Sequence, residues 1–139
     1  MAFTWHYENA EVLWDALRTT VTVDSGAKAV LFSAPWDLLD VQALASVFPG
    51  DDQVDWAADH AGLLETAIMK HLTPDLVGEA PAPRPFVPRR YEVLPTPTDA
   101  VPDSGVVNDA RAVTTDGGKA ALDAMADAMA SAVAREFSA

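Results

Sequence analysis

The sequence predicts an α/β layered fold with a short parallel sheet flanked by helices. Three observations carry this: short apolar, β-prone runs alternate with segments of helical hydrophobic spacing, the connections are short, and the run over residues 28–33 is of the kind buried in a parallel sheet. Two or three strands are few for a sheet covered on both faces, so the chain reads as part of a larger layered fold. Its 139 residues, half of them hydrophobic, suit one domain, and residues 1–139 are expected to form a single partial one.

Residues 2–5 are apolar and read as the end of a strand. Asn9 fits an N-cap for a helix over 10–19, in which Val12, Leu13, Ala16 and Leu17 recur at helical spacing; the β-branched run that follows is expected to end it. Gly26 marks a turn into the strand at 28–33, which Pro35 stops. Leu38, Leu39, Val41, Leu44 and Val47 fit an amphipathic helix running up to Pro49-Gly50. Beyond the acidic turn Asp51-Asp52, the next helix opens near His60, with Leu64, Ile68 and Leu72 on one face and Pro74 past its end. Seven of the ten prolines lie between Pro81 and Pro102, which excludes a regular helix and predicts a proline-rich extended arm over 81–104. Phe86, Val87, Tyr91 and Val93 can pack an apolar edge along it. Asp116 fits a cap for the last helix, whose Leu122, Met125, Met129, Val133 and Phe137 form a core stripe.

Charge and composition narrow the function. Nine Lys and Arg against 21 Asp and Glu give a formal net charge of −12, which repels phosphate backbones and anionic lipid, so no nucleic acid and no membrane partner is expected. With no cysteine, disulfides, thiolate nucleophiles and cysteine-ligated zinc are excluded, and any metal must use His and carboxylate. The N-terminus shows no basic and apolar signal pattern, and no apolar stretch approaches 18 residues; a cytoplasmic protein is expected.

Two clusters carry chemistry. His6 and Glu8 sit two apart at the end of the first strand, where open α/β sheets place ligands; on extended backbone both would point to one side and could reach adjacent metal ions. Taken alone, a His-x-Glu pair reads more plainly as solvated. Trp56, Asp59, His60, Gly62, Glu65 and Thr66 gather at a helix start, where free N–H groups favour negative charge. An imidazole there titrates near neutrality and can move a proton onto an amide leaving nitrogen, with Asp59 orienting the ring or binding a polar substrate edge. The plainer readings are that Asp59 is an N-cap, His60 a surface residue, Glu65 a carboxylate facing water, and Trp36 and Trp56 packing. His71 suits the helix C-terminus.

The order of these blocks resembles the creatininase (creatinine amidohydrolase) family: His6-Tyr7-Glu8-Asn9 before an amphipathic helix, Trp36, Trp56, Asp59-His60-Ala61-Gly62-Leu63-Leu64-Glu65-Thr66, then Pro74-Asp75-Leu76-Val77. The closing segment, Gly105-Val106-Val107-Asn108-Asp109-Ala110-Arg111 and the turn at 114–118, is similar too, and Tyr7 favours the creatininase branch. The resemblance implies a partial creatininase-like fold and a binuclear zinc or manganese hydrolase that opens a small cyclic amide, of the creatinine-to-creatine type. It implies His6 as a ligand of one metal and Glu8 of the other, Tyr7 beside the substrate, His60 as the proton-transferring residue, Asp59 as a substrate contact, and Trp36 and Trp56 as aromatic walls. Asp59 replaces the family's Glu, Ala57 an Asp, and Thr4-Trp5 an Asn-Gly. The resemblance further places the remaining ligands, including the bridging carboxylate, in an N-terminal half preceding this chain. The expectation is therefore a chain inactive alone, acting as a homo-oligomer or with a complementing N-terminal half; the competing expectation is a noncatalytic module that assembles with a companion or full-length subunit.

Overall fold

Ala2–Phe3 (β1) pairs in parallel with Leu31–Phe32 (β2), Ala2 opposite Leu31 and Phe3 opposite Phe32. The computed structural model describes residues 2–3, 7–23, 26–39, 44–45, 48, 61–82, 93–95, 97, 104–106 and 108–138. They fall into two units, Met1–Asp40 with Asp123–Ala139, and Val41–Leu122. Among the described residues, helix dominates: Tyr7–Val23 (α1), Leu63–Leu72 (α2) and Thr115–Phe137 (α3) run 17, 10 and 23 residues against strands of two. The layered sheet expected from the sequence is thus reduced, among the described residues, to one two-residue pair.

In the first unit, α1 begins before Asn9 and runs through the β-branched residues 19–23 expected to end it. Asn9 is therefore a helical residue rather than the cap. Within the run the hydroxyls of Thr19, Thr20 and Thr22 donate to the carbonyls of Asp15, Ala16 and Arg18 at 3.0, 3.0 and 2.7 Å. That back-bonding satisfies the polar side chain inside the helix instead of letting it compete for another conformation. Of the strand expected over 28–33, only Leu31 and Phe32 pair. Lys28 turns instead to the last turn of α3: its Nζ lies 3.1 Å from the Glu136 carboxylate, donates to the Glu136 carbonyl and sits 5.5 Å over the Phe137 ring. A cation at that place complements the free carbonyls of a helix C-terminus. The Lys28 ammonium, with Arg135 adding a 3.3 Å contact, holds the Glu136 carboxyl below the usual carboxylate range.

After β2, Pro35 opens a single 3-10 turn, Pro35–Leu38, and Leu39 is extended, so the helix expected from Leu38 does not start there. Leu44 and Ala45 are helical, and the Phe48 N–H donates to the Leu44 carbonyl at 3.0 Å. Leu44 and Phe48 are buried.

The second unit is built on α2 and the start of α3. Leu63, Leu64, Ala67 and Ile68 are buried, whereas Leu72, expected on the same face, emerges in the last turn at 55% exposure. The proline-rich arm lies mostly outside the described residues, Phe86, Val87 and Tyr91 included; Val93 and Leu94 are exposed. Helix α3 is capped by Thr114 rather than Asp116: its Oγ1 accepts from the Gly117 N–H at 3.0 Å, the N-cap to N3 bond, and leaves Asp116 in the first turn as a charge favourable to the dipole. Met125 is buried at 2% exposure, but the stripe fades outward to an exposed Phe137.

One approach sets the geometry of this unit. A Cβ on Gly118 would lie 1.9 Å from the Ala67 carbonyl oxygen and 2.9 Å from the Ile68 nitrogen, both backbone atoms that no rotamer change can move aside. Only glycine lets α3 start against the backbone of α2.

Gly118→Ala is expected to destabilise the fold by about 2 kcal/mol or more, since overpacking against fixed atoms forces backbone shifts; urea unfolding should show a lower midpoint with an unchanged slope. Thr114→Ala should cost about 1 kcal/mol through the lost cap in the same measurement.

Candidate active site

The two clusters singled out in the sequence fall in different units. In the first, β1 and β2 run parallel, so their carboxyl ends lie at one edge of the pair. The segment carrying His6, Tyr7 and Glu8 follows the end of β1, and Trp36 follows the end of β2. This is the crevice position at which open parallel sheets bind ligands. Tyr7 and Glu8 form the start of α1 rather than extended chain, which removes the extended-strand argument for His6 and Glu8 pointing to one side. In a helix, residues two apart lie on nearly opposite faces. His6 lies outside the described residues, and for Tyr7 and Glu8 the description covers the backbone. Trp36 is half-buried in the Pro35–Leu38 turn, behind a buried Ala34 and Pro35, and its carbonyl accepts from the Leu39 N–H at 3.0 Å. The proline at the first position of the turn has no N–H to leave unsatisfied there.

In the second unit, Trp56, Asp59 and His60 lie outside the described residues, which resume at Ala61. Ala61 is left-handed, with φ +47°, a conformation that costs an L-residue roughly 1 kcal/mol. Two side chains from the first turn of α2 hold it there. The Glu65 Oε2 accepts from the Ala61 N–H at 2.5 Å, and the Thr66 Oγ1 donates to the Ala61 carbonyl at 3.4 Å. Gly62, the N-cap residue, makes no side-chain cap, so Glu65 reaches back as a capping-box glutamate does, one residue further. Glu65 is therefore a structural acceptor, not a carboxylate turned to water. Neither alanine nor its spacing signals the left-handed turn; the glutamate three residues after Gly62 is the sequence signal that marks it.

The closing segment holds a pair with no role legible in the sequence. Arg111 grips Asp109 through both guanidinium arms, Nε to Oδ1 at 2.8 Å and Nη2 to Oδ2 at 2.6 Å, while the Arg111 N–H donates to Oδ1 at 3.1 Å. These hydrogen bonds hold the Asp109 carboxyl down at about 2, and the carboxylate in turn raises the guanidinium further. Nearby, Lys70 Nζ donates to the Val113 carbonyl at 3.1 Å. Both cations border an open groove of about 580 Å³ with Val77, Gly78, Glu79 and Ala80. Each of these two cations also holds a protein acceptor.

Imidazole nitrogen and carboxylate oxygen, the donor types expected at His6 and Glu8, suit zinc and manganese. Among the described residues, no three His, Asp or Glu side chains converge as a metal group. No described helix is long and apolar enough to cross a membrane.

Against known proteins, the creatininase family model, described as creatinine amidohydrolase, matches residues 1–133. The creatinine amidohydrolase of Pseudomonas putida is 27% identical over 141 aligned positions, covering 95% of this chain and 53% of that relative. Two solved structures, a mutant creatininase complexed with creatine and a creatinine amidohydrolase, superpose with TM-scores of 0.80 at 24% identity; each match covers 99% of this chain, and 56% and 55% of the other. A zinc–zinc form of a mutant creatininase and a manganese creatininase superpose at 0.78 and 0.77. At such identity the superpositions show a shared fold. The chain spans just over half the length of these relatives.

The Asp109 carboxyl, followed by NMR, should titrate near 2, and Arg111→Ala should return it toward the ordinary 3.8. Because the folded value is depressed, the pair's contribution to stability is complete above about pH 4 and disappears as pH falls toward 2. With the Asp109 side chain 41% exposed, screening by water keeps that contribution small.

Proposed function

Because the chain belongs to the creatininase family, we propose that it supplies part of the active site of a metal-dependent amidohydrolase acting on a small cyclic amide of the creatinine type. The observation that carries this reading is the family match over residues 1–133, which takes in every candidate site residue. His6 and Glu8 are the donors this chain gives to zinc or manganese, the metals named for its structural relatives. Two donors fall short of three, so further ligands come from outside these 139 residues, from more chain or from a companion subunit, and the chain is inactive alone.

When bound, the metal supplies Lewis-acid polarisation and a water acidified toward neutral pH. The chain's own residues supply the remainder. Hydrolysis of the ring amide breaks the C–N bond, adds the water oxygen to the carbonyl carbon and leaves a proton to be delivered to the departing nitrogen. His60 carries that proton on an imidazole nitrogen, the side-chain type suited to proton transfer near neutral pH. Asp59 binds a polar substrate edge, Tyr7 lines the substrate, and Trp36 and Trp56 wall it from water, so that opposite charges attract more strongly. In this reading the protein works in the cytoplasm, as a homo-oligomer or with a companion that completes the ligand set.

A second reading is a noncatalytic assembly module, favoured by the span of just over half the relatives' length. Metal analysis separates the two. After equilibration with zinc or manganese, near-stoichiometric metal that His6→Ala loses supports the hydrolase, and no specific metal supports the module. With the ligand set completed, His60→Ala should lower creatinine hydrolysis on the order of 100- to 10,000-fold without unfolding the chain. The assembly module instead predicts little effect at His60 and release of the partner on disrupting Phe86 or Tyr91.

A further inference from the structure

Two cations meet at one turn of the second unit. The Val113 N–H donates to the Ala110 carbonyl at 3.4 Å, which closes a turn with Arg111 at its second position, and Lys70 reaches from α2 to the Val113 carbonyl at its last. Both cations border the open groove of about 580 Å³, and Glu79 adds a carboxylate to its lining. Neither cation is used up by its protein partner. An ammonium has three N–H donors, of which Lys70 gives one to Val113; a guanidinium has five, arranged in a planar fork. Asp109 takes the Nε edge of Arg111, and the second edge, Nη1 with the remaining Nη2 hydrogen, makes no bond among the described residues. The grip of Asp109 fixes the plane of the guanidinium, so the second edge is held in place for a planar acceptor instead of having to be ordered by it. Beside it, a Cβ on Gly78 would meet nothing within 4 Å, so a small molecule has room to approach that backbone.

We propose that this groove binds a small zwitterion, with its carboxylate between Lys70 and Arg111 and its cationic nitrogen toward Glu79. Two cations and one carboxylate complement such a molecule, and grooves of about 300–1,000 Å³ are the usual size for small ligands. Hydrolysis of a ring amide of the creatinine type yields a molecule of this class, with a carboxylate on the former carbonyl carbon and a basic nitrogen that takes up a proton. Naming that product as the ligand rests on the amidohydrolase reading; the charge pattern rests on the groove. No lining residue of the groove is a candidate site residue, so it is a second place for product and not the place of the chemistry. The closed ring has no carboxylate for Lys70 and Arg111, and the groove therefore tells product from substrate by charge.

The test is an NMR titration of the full chain with creatine, read on the backbone amides of Gly78, Ala80 and Arg111. In so open a groove, saturable shifts with a Kd on the order of 1 mM are expected. Creatinine lacks the carboxylate and acetate lacks the cation, so each should bind about tenfold or more weakly, the worth of one hydrogen-bonded charge. Arg111→Gln and Glu79→Gln should each weaken creatine by about the same factor; the first should still fold, because the ion pair it breaks is largely exposed. Gly78→Leu, whose side chain has room beside the backbone, should block the groove and abolish the shifts with every charge intact. Shifts that do not saturate, or that survive these three substitutions, overturn the site. Creatinine or acetate binding as tightly as creatine overturns the zwitterion. The titration needs neither metal nor a completed ligand set, so its failure leaves the hydrolase reading to the metal analysis and to His60→Ala, and the failure of those leaves creatine binding in the groove to be read on its own.

Discussion

The absence of a side chain at Gly118 is the constraint on which the second unit depends. Helices that meet through ordinary side chains keep their axes 8–10 Å apart, and a backbone carbonyl within 2 Å of where a Cβ would stand means a closer meeting at this point. The beginning of α3 is then fixed against α2, and neighbouring polar groups depend on that placement. Thr114 can cap α3, and Lys70 can reach from α2 to the Val113 carbonyl just before it. At its other end α2 carries Glu65 and Thr66, so the helix that α3 packs against is also the one that orders the turn after His60.

The two site clusters are positioned by different means. In the first unit the residues follow strand ends, and parallel pairing brings those ends to one edge whatever the side chains do. In the second, Asp59 and His60 precede in sequence a helix with no conventional side-chain cap, and the described chain from Ala61 is held by hydrogen bonds from within that helix. A parallel pair as short as two residues per strand has few ladder bonds of its own, so its order is borrowed from neighbours such as α1 and the Lys28 contact with the end of α3. Family membership supplies the chemistry; the local geometry supplies the reasons particular residues stand where they do.

Sequence periodicity made the helices legible and their ends much less so. The apolar spacing in α2 and the buried Met125 of α3 were readable because long amphipathic runs repeat their signal. Asn9 has the composition of a cap and β-branched residues usually weaken helices, so composition misplaces both ends of α1, and neither signal shows a threonine hydroxyl bonded back to the preceding turn. The apolar neighbours of Lys28 suggest a strand, although its partner is more than a hundred residues away. The candidate site is a set of motifs read through resemblance, and His6, Trp56, Asp59 and His60 lie outside the described residues. The role of Glu65 was not legible, since a carboxylate in the first turn of a helix serves the dipole, the cap or solvent equally well on paper.

Those threonines also change how the surface of α1 should be pictured. Thr19, Thr20 and Thr22 are exposed, yet each has committed its hydroxyl hydrogen to a carbonyl of its own helix. What remains to face water is less a row of donors than a patch of methyl groups, beside an exposed Val23. The hydroxyl oxygens keep lone pairs for water, so the stretch faces solvent with acceptors and methyl groups rather than with hydroxyl donors.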